Sequence, residues 1–363
     1  MKQDFCLPHG TYLLNHSVGK PLKTAQQAFK DNFLEPWQYG ETEPWGTWLN
    51  AVNQFTAGLA QLFNSKAELF CPQANLSSGL TKLLMSHPKL SNKPNVVMSE
   101  IDFPSMGFAI QQAVNANITF IPKELDITDE TVWSSYINDS TDLVFVSHAY
   151  SNTGQVSPLK QVVNLAKQSG ALSIVDVAQS VGVMPLDLSD MQPDFLIGSS
   201  VKWLCSGPGA AYLWIAQQHL AECKPKDLGW FSHQNPFEFD IHHFDYHDSA
   251  LRFWGGTPSI APYVFAAHSL AYFNKLGVEQ VHTHNRKLQA AIIDAFGEEL
   301  VSPLQEQKRS GTVILNFADN QAVLNKLAEN KIAVDARIAG LRVSPHIYND
   351  EEDIAKFVQT LKR

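Results

Sequence analysis

Lys202 stands inside G198-S-S-V-K-W-L-C-S-G-P-G-A-A-Y-L-W-I215, a run of small and apolar residues with no other charge. An ammonium taken out of water is costly unless it is paired or gives up its proton. A lysine whose pKa is lowered by an apolar setting becomes a nucleophile able to form an imine with an aldehyde. Asp176 falls late in L172-S-I-V-D-V-A178. If both stretches are strands of an open α/β sheet, their carboxyl ends share the rim where ligands gather. An aspartate at that rim suits a protonated ring nitrogen, which is what pyridoxal phosphate (PLP) requires. The competing reading of the two residues is a structural Asp–Lys ion pair.

The elements that must position them are readable from pattern. N95-V-V-M-S-E-I101, N117-I-T-F-I121, D142-L-V-F-V-S-H148, L172-S-I-V-D-V-A178, D194-F-L-I-G-S-S200 and A210-A-Y-L-W-I215 are short β-rich runs. Between them Pro104–Asn115 and Pro158–Ser169 have helical spacing, each opened by a proline suited to a first helical turn. Strands apolar on both faces and alternating with helices imply a mainly parallel, doubly covered sheet. From Ser259 the texture changes to long helical patterns (Ser259–Leu276, Val278–Phe296, Asn320–Asn330, Asp350–Leu361) around two strand candidates, T312-V-I-L-N-F-A318 and L341-R-V-S344. The expected organisation is a large α/β domain over 17–258 and a smaller α+β domain over 259–363 joined by residues 1–16.

With 363 residues, 44% hydrophobic and 17% charged, the chain can bury a large core in two lobes. Its net charge is −9 with scattered lysines and arginines, which argues against nucleic acid and acidic membrane surfaces as partners. Cys6, Cys71, Cys205 and Cys223 form no CxxC pair, and no apolar run reaches membrane-spanning length, so a cytoplasmic setting is expected. GxGxxG, P-loop and HExxH motifs are absent and no metal site is expected.

Three separated blocks, V175-D-V-A-Q179, S199-S-V-K202 and R252-F-W-G-G-T-P-S-I-A261, resemble the class V aminotransferase group of fold type I PLP enzymes, which includes kynureninases and cysteine desulfurases. The resemblance implies an α/β fold with a mainly parallel seven-stranded sheet in the large domain and a smaller C-terminal α+β domain. It makes Lys202 the Schiff-base lysine, Asp176 the partner of the pyridine nitrogen, and Gln179 a neighbour of the ring's phenolic oxygen. A74-N-L-S-S-G-L-T-K-L-L-M85 is similar to a kynureninase phosphate-binding stretch, so Leu76 would lend its backbone N–H and Ser77 its hydroxyl at a helix N-terminus. Ser199 is implied to turn toward the phosphate as well. Thr257 would reach the phosphate of a neighbouring subunit, which makes a homodimer the expected active unit. D102-F-P-S-M-G107 and G229-W-F-S-H233 resemble kynureninase motifs that bring an aromatic ring over the cofactor, here Phe103, and a tryptophan beside the phosphate, here Trp230. G340-L-R-V-S-P-H-I-Y-N349 is similar to the segment whose arginine grips the substrate α-carboxylate; Arg342 takes that role by a two-pronged contact, and Arg337 is read as structural. His16, Ser151 and Asn152 fall in regions that line the substrate side.

The chain also departs from the group. Val201 stands where desulfurases have His and kynureninases Tyr, F103-P-S-M106 lacks the closing Asp, and no cysteine lies between Thr312 and Arg342. Sulfur transfer through a protein persulfide is therefore not expected. S199-S-V-K202 also fits the S-x-x-K pattern of serine acyl-transfer enzymes, but S86-H-P-K89 fits it equally and no K-T-G triplet follows. The expected reaction is on an amino acid, its carboxylate on Arg342 and Lys202 acting as general base. The side chain would then be cleaved, carbon–carbon as in kynureninase or carbon–sulfur as in a lyase, with transamination as the alternative.

Overall fold

A strand covered on both faces needs apolar side chains at every position, and L143-V-F-V-S147, L172-S-I-V-D176 and F195-L-I-G-S199 are buried from end to end. The computed structural model describes residues 1–362. Numbered along the chain, β1 is Thr11–Tyr12. The large sheet takes β2 (Phe70–Gln73), β3 (Asn95–Ser99), β4 (Asn117–Ile121), β5 (Leu143–Ser147), β6 (Leu172–Asp176), β7 (Phe195–Ser199) and β8 (Ala211–Ile215). Its order is β2-β8-β7-β6-β5-β3-β4. β2 and β8 run antiparallel to their neighbours and the others are mutually parallel. The register sets Ser147 of β5 and Ile197 of β7 on either side of Asp176 in β6, so these strands end at one rim.

Gly198 is required where it stands. A Cβ there would lie 2.3 Å from the Tyr212 hydroxyl oxygen, because that ring crosses directly over the β7 backbone. The turn after β7 carries Lys202 and is tied from several directions. Gly19 N–H donates to the Val201 carbonyl (2.9 Å), His346 Nε2 meets the Trp203 carbonyl (2.9 Å), and Ser206 N–H closes on the Ser200 carbonyl (3.1 Å). A Cβ on Gly19 would lie 2.1 Å from the Lys202 carbonyl, so only glycine allows this approach.

The C-terminal part adds β9 (Val313–Leu315), β10 (Ile332–Ala333), β11 (Asp335–Arg337) and β12 (Gly340–Val343). β11, β12 and β9 form an antiparallel sheet, and β1 pairs with β10. The N-terminal residues thus pack on the C-terminal sheet and then run to the Lys202 turn. One apolar cluster fills the large sheet and its helices; a second gathers Leu13, Leu288, Ile292, Val313, Leu341 and Phe357. Tyr263, Val264, Leu270 and Phe273 of the helix Ala261–Leu276 belong to the first cluster. This helix therefore packs on the core of the large sheet. Among the described residues no helix is long and apolar enough to cross a membrane.

Candidate active site

The ends of β5, β6 and β7 open on a cavity of about 270 Å³. Of the residues singled out in the sequence, Leu76, Ser77, Phe103, Ser151, Asp176, Gln179, Ser199 and Lys202 line it. Lys202 is largely withdrawn from solvent, and its amine has no hydrogen-bond or ion-pair partner among the described residues. Burial pushes its pKa below the ordinary lysine value; Asp176 pulls it up and Arg342 pushes it down. Asp176 is buried and accepts the Ala178 N–H at 2.8 Å. Burial raises its pKa, against that N–H and the Lys202 charge, which lower it. The two groups feel each other across the cavity without closing into an ion pair, which removes the purely structural reading.

At one end of the cavity begins the helix Leu76–Ser86, capped by Asn75, whose Oδ1 accepts the Ser78 N–H at 2.9 Å. The cap leaves the N–H groups of Leu76 and Ser77 without partners among the described residues, and the hydroxyls of Ser77 and Ser199 are likewise unbonded. Such an end attracts an anion. Gln179 donates from Nε2 to the His16 carbonyl (3.2 Å) and keeps a buried Oε1 with no partner. Phe103 is 56% exposed over the cavity instead of packed in the core. Val201 and Met106 line it at the positions where the sequence departs from kynureninases, so its wall there is apolar.

Six of the residues named in the sequence lie elsewhere. Arg342 and His16 do not line the cavity, although the His16 carbonyl accepts from Gln179 of its wall. Arg342 Nε donates to Asp335 Oδ1 at 2.8 Å and its Nη2 to Asp335 Oδ2. His16 joins the same carboxylate, Nε2 to Oδ1, at 2.9 Å. Burial would raise the Asp335 pKa, but His16 and Arg342 hold it well below the carboxylate range. Asn152 is half-buried outside the cavity wall. Trp230 is not brought to Lys202 of its own chain: its ring packs edge-on against Trp45, 5.8 Å between centroids, and lines a separate cleft. Thr257 is exposed and also outside the cavity. Arg337 is exposed on β11.

Sequence reasoning missed Tyr150 and Ser105 in the cavity wall, and Asp335 and Asp102 behind it. Asp335 had a signal, because it and Arg342 flank the I338-A-G340 turn and face each other in the hairpin register. Asp102 accepts the Ser147 hydroxyl (2.6 Å) and the Ser99 N–H (2.9 Å). No hydrogen bond joins Ser199 Oγ to the Lys202 amine, as serine activation by that lysine would need. Away from the cavity His87, His219 and Glu222 converge. His87 Nδ1 accepts the Lys89 N–H (3.2 Å), so its proton sits on Nε2 and goes to Glu222 (3.1 Å), and that nitrogen has no lone pair free for a metal.

A rim lysine and aspartate under a half-covering phenylalanine, on this sheet order, define a fold type I PLP-dependent enzyme. The chain belongs to the aminotransferase class-V family, matched over residues 50–357. It is 24% identical over 343 residues to an uncharacterized aminotransferase, YcbU, of Bacillus subtilis, covering 93% of this chain and 89% of the relative. It is 24% identical over 373 residues to kynureninase of Bacillus cereus, covering 97% and 86%. Among solved structures it resembles the cystine C–S lyase C-DES in complex with its reaction product cysteine persulfide, with a TM-score of 0.88, 20% identity and 98% of each chain covered. A mutant of C-DES carries glycine covalently linked to its PLP cofactor and superimposes with a TM-score of 0.89, again at 20% identity, over 99% of this chain and 98% of that one.

Proposed function

We propose that the protein holds PLP at Lys202 and breaks a bond in the side chain of an α-amino acid, carbon–carbon or carbon–sulfur. The observation that carries this reading is the Lys202 amine, unpartnered in an enclosed cavity that also contains Asp176 and an uncapped pair of helix N–H groups. The residues present fit the cofactor. Leu76, Ser77 and Ser199 are free to hold a phosphate, Asp176 a ring nitrogen, and Phe103 covers the open face. When bound, PLP supplies an aldehyde that bonds to amines and a ring that accepts the electron pair of a breaking bond.

The chain supplies the rest. The buried Lys202 amine, with its pKa lowered, can take and return a proton as general base and acid. The Asp176 carboxylate, adjacent in the register to Ser147 and Ile197, would accept a hydrogen bond from the ring nitrogen and so keep it protonated. Arg342 binds the substrate carboxylate and so orients the α-carbon toward Lys202. Val201 and Met106 keep that side of the cavity apolar. No cysteine lines the cavity, and burial raises the Cys205 thiol far above its ordinary pKa, so sulfur relay through a protein thiol is not part of the reading.

Similarity to the kynureninases and to C-DES supports side-chain cleavage; the relative named as an aminotransferase supports transamination as the second reading. A homodimer belongs to the same proposal, because Thr257, which the resemblance assigns to a neighbouring subunit's phosphate, is exposed outside the cavity of its own chain. Adding PLP to the purified protein should produce visible absorbance that borohydride fixes on Lys202. Candidate amino acids are then incubated with the holoenzyme. Alanine or pyruvate with the cofactor unchanged supports cleavage; a keto acid with the cofactor left as its amine supports transamination. Failure to take up PLP ends the proposal.

A further inference from the structure

In the proposed function a substrate carboxylate sits on Arg342, and the role assigned here to Asp335 rests on that reading. Arg342 is not free. Asp335, its partner in the hairpin register, takes the guanidinium side-on: Nε donates to Oδ1 at 2.8 Å and Nη2 donates to Oδ2. A guanidinium carries five N–H groups in a fixed fork. The side-on pair uses two of them along one edge. The end edge, Nη1 with the outer hydrogen of Nη2, makes no further hydrogen bond among the described residues.

Asp335 is itself held from outside its hairpin. His16 Nε2 reaches Oδ1 at 2.9 Å, while His16 Nδ1 meets Ser344 Oγ at 2.7 Å and Ser344 Oγ meets Thr312 Oγ1 at 2.7 Å. The His16 side chain is fully buried. Burial lowers its pKa, and the nearby Arg342 and Lys202 charges act the same way against the attraction of Asp335. A neutral ring donating from Nε2 and accepting at Nδ1 satisfies this chain of contacts. Asp335 thus receives donors from His16 on one side and Arg342 on the other, and a flexible arginine is left with a single orientation.

We infer that Asp335 is a positioning residue for substrate recognition, clamping one edge of Arg342 so that the other edge is presented end-on to a free, two-oxygen carboxylate. His16 steadies the clamp. The ligand class this selects is an unesterified α-carboxylate, since an ester or amide offers neither the second equivalent oxygen nor the charge. The rival role for Asp335 is a competitor that the substrate must displace from Arg342. The two contacts fall on different edges, so displacement is not needed.

The test compares the wild-type holoenzyme with Asp335→Asn, Asp335→Glu and His16→Gln. PLP absorbance, KM and kcat are measured with an amino acid that the wild type turns over, together with glycine affinity from the spectral shift. For Asp335→Asn we expect KM and the glycine Kd to rise about tenfold with kcat within about twofold and the cofactor absorbance unchanged. Asp335→Glu should recover part of the loss, and His16→Gln should show a smaller rise of the same kind. Unchanged KM and glycine Kd in Asp335→Asn would overturn the inference, and a fall in either would establish the competitor role in its place. If Asp335→Asn does not fold, the same shifts in Asp335→Glu and His16→Gln decide. A wild-type protein that takes up no PLP defeats the functional reading itself, a result distinct from any of these.

Discussion

The strand-end side of the cavity and the hairpin side behind it treat their polar groups in opposite ways. On the strand-end side the Lys202 amine, Gln179 Oε1, the Ser77 and Ser199 hydroxyls and two helix N–H groups have no partner among the described residues. On the hairpin side Arg342, Asp335, His16, Ser344 and Thr312 are bonded one to the next. The strand-end groups are thus free to bond an incoming ligand, whereas the hairpin groups are already bonded to one another and offer only the end edge of the Arg342 guanidinium. That division suits a cofactor that stays and a substrate that leaves after every turnover.

The largest effect should come from removing the group on the open side that reacts. Lys202→Ala should lower kcat by roughly 10²–10⁴-fold, the usual worth of a positioned acid–base group. The groups proposed to hold PLP at Ser77, Ser199 and Asp176 remain, so the variant should still bind PLP by absorbance, and borohydride should no longer fix it to the protein. A variant that keeps wild-type turnover would show that the open side is not where the chemistry occurs.

How far the sequence reads through to the fold follows the same division. The six β-rich runs of the large domain became β3 to β8, β4 with the expected ends and the others shortened by a residue or two. β2 is hidden in the sequence because Pro72 sits in a four-residue run, and proline argues against a central strand; the strand is indeed at the sheet edge. The helix Trp45–Leu62 is hidden too, with Gly46 and Gly58 diluting its helical signal. Lys202 and Asp176 were legible because strand ends bring them together by a general rule of open sheets, and Gln179 followed from the family resemblance. The His16–Asp335 contact was not, because it joins residues 319 positions apart and depends on how the N-terminal strand docks. Trp230 rests on motif alone, and within its own chain its ring packs on Trp45 and Phe231.

Beneath the open side two buried groups titrate in opposite senses, and they probe the division through stability rather than rate. Burial, reinforced by Asp176 and resisted by the Ser147 and Ser99 hydrogen bonds, pushes the Asp102 carboxyl up to about 7. The folded state therefore holds a proton that the unfolded state gives up, and stability is lost as pH rises from the ordinary carboxylate range through about 7. For His148 burial alone lowers the imidazole to about 4, so stability is lost as pH falls from about 6.5 to about 4. Asp102→Asn should become more stable relative to the wild type as pH goes from 4 to 8, by up to about 4 kcal/mol. His148→Asn should gain relative to the wild type in the other direction, by up to about 3 kcal/mol. Denaturant midpoints at the two pH values measure both. Parallel curves for variant and wild type would mean that these groups are wetter than the cavity floor implies.

The smallest effect tests whether the closed side needs the fork or only its charge. Arg342→Lys keeps a cation on β12 but replaces two donor edges by one ammonium, which can face Asp335 or a substrate carboxylate and not both at the same fixed angle. Asp335, already held by His16, is the nearer anion and should win. We expect KM to rise about tenfold with kcat nearly unchanged, because the contact is made equally in the ground and transition states. The cofactor absorbance should not move, since none of the groups offered to PLP lies in the hairpin. A KM equal to that of the wild type would mean that a point charge suffices. A fall in kcat with KM unchanged would mean that Arg342 acts on the reacting bond and that the two sides of the cavity are not as separate as their hydrogen bonding makes them.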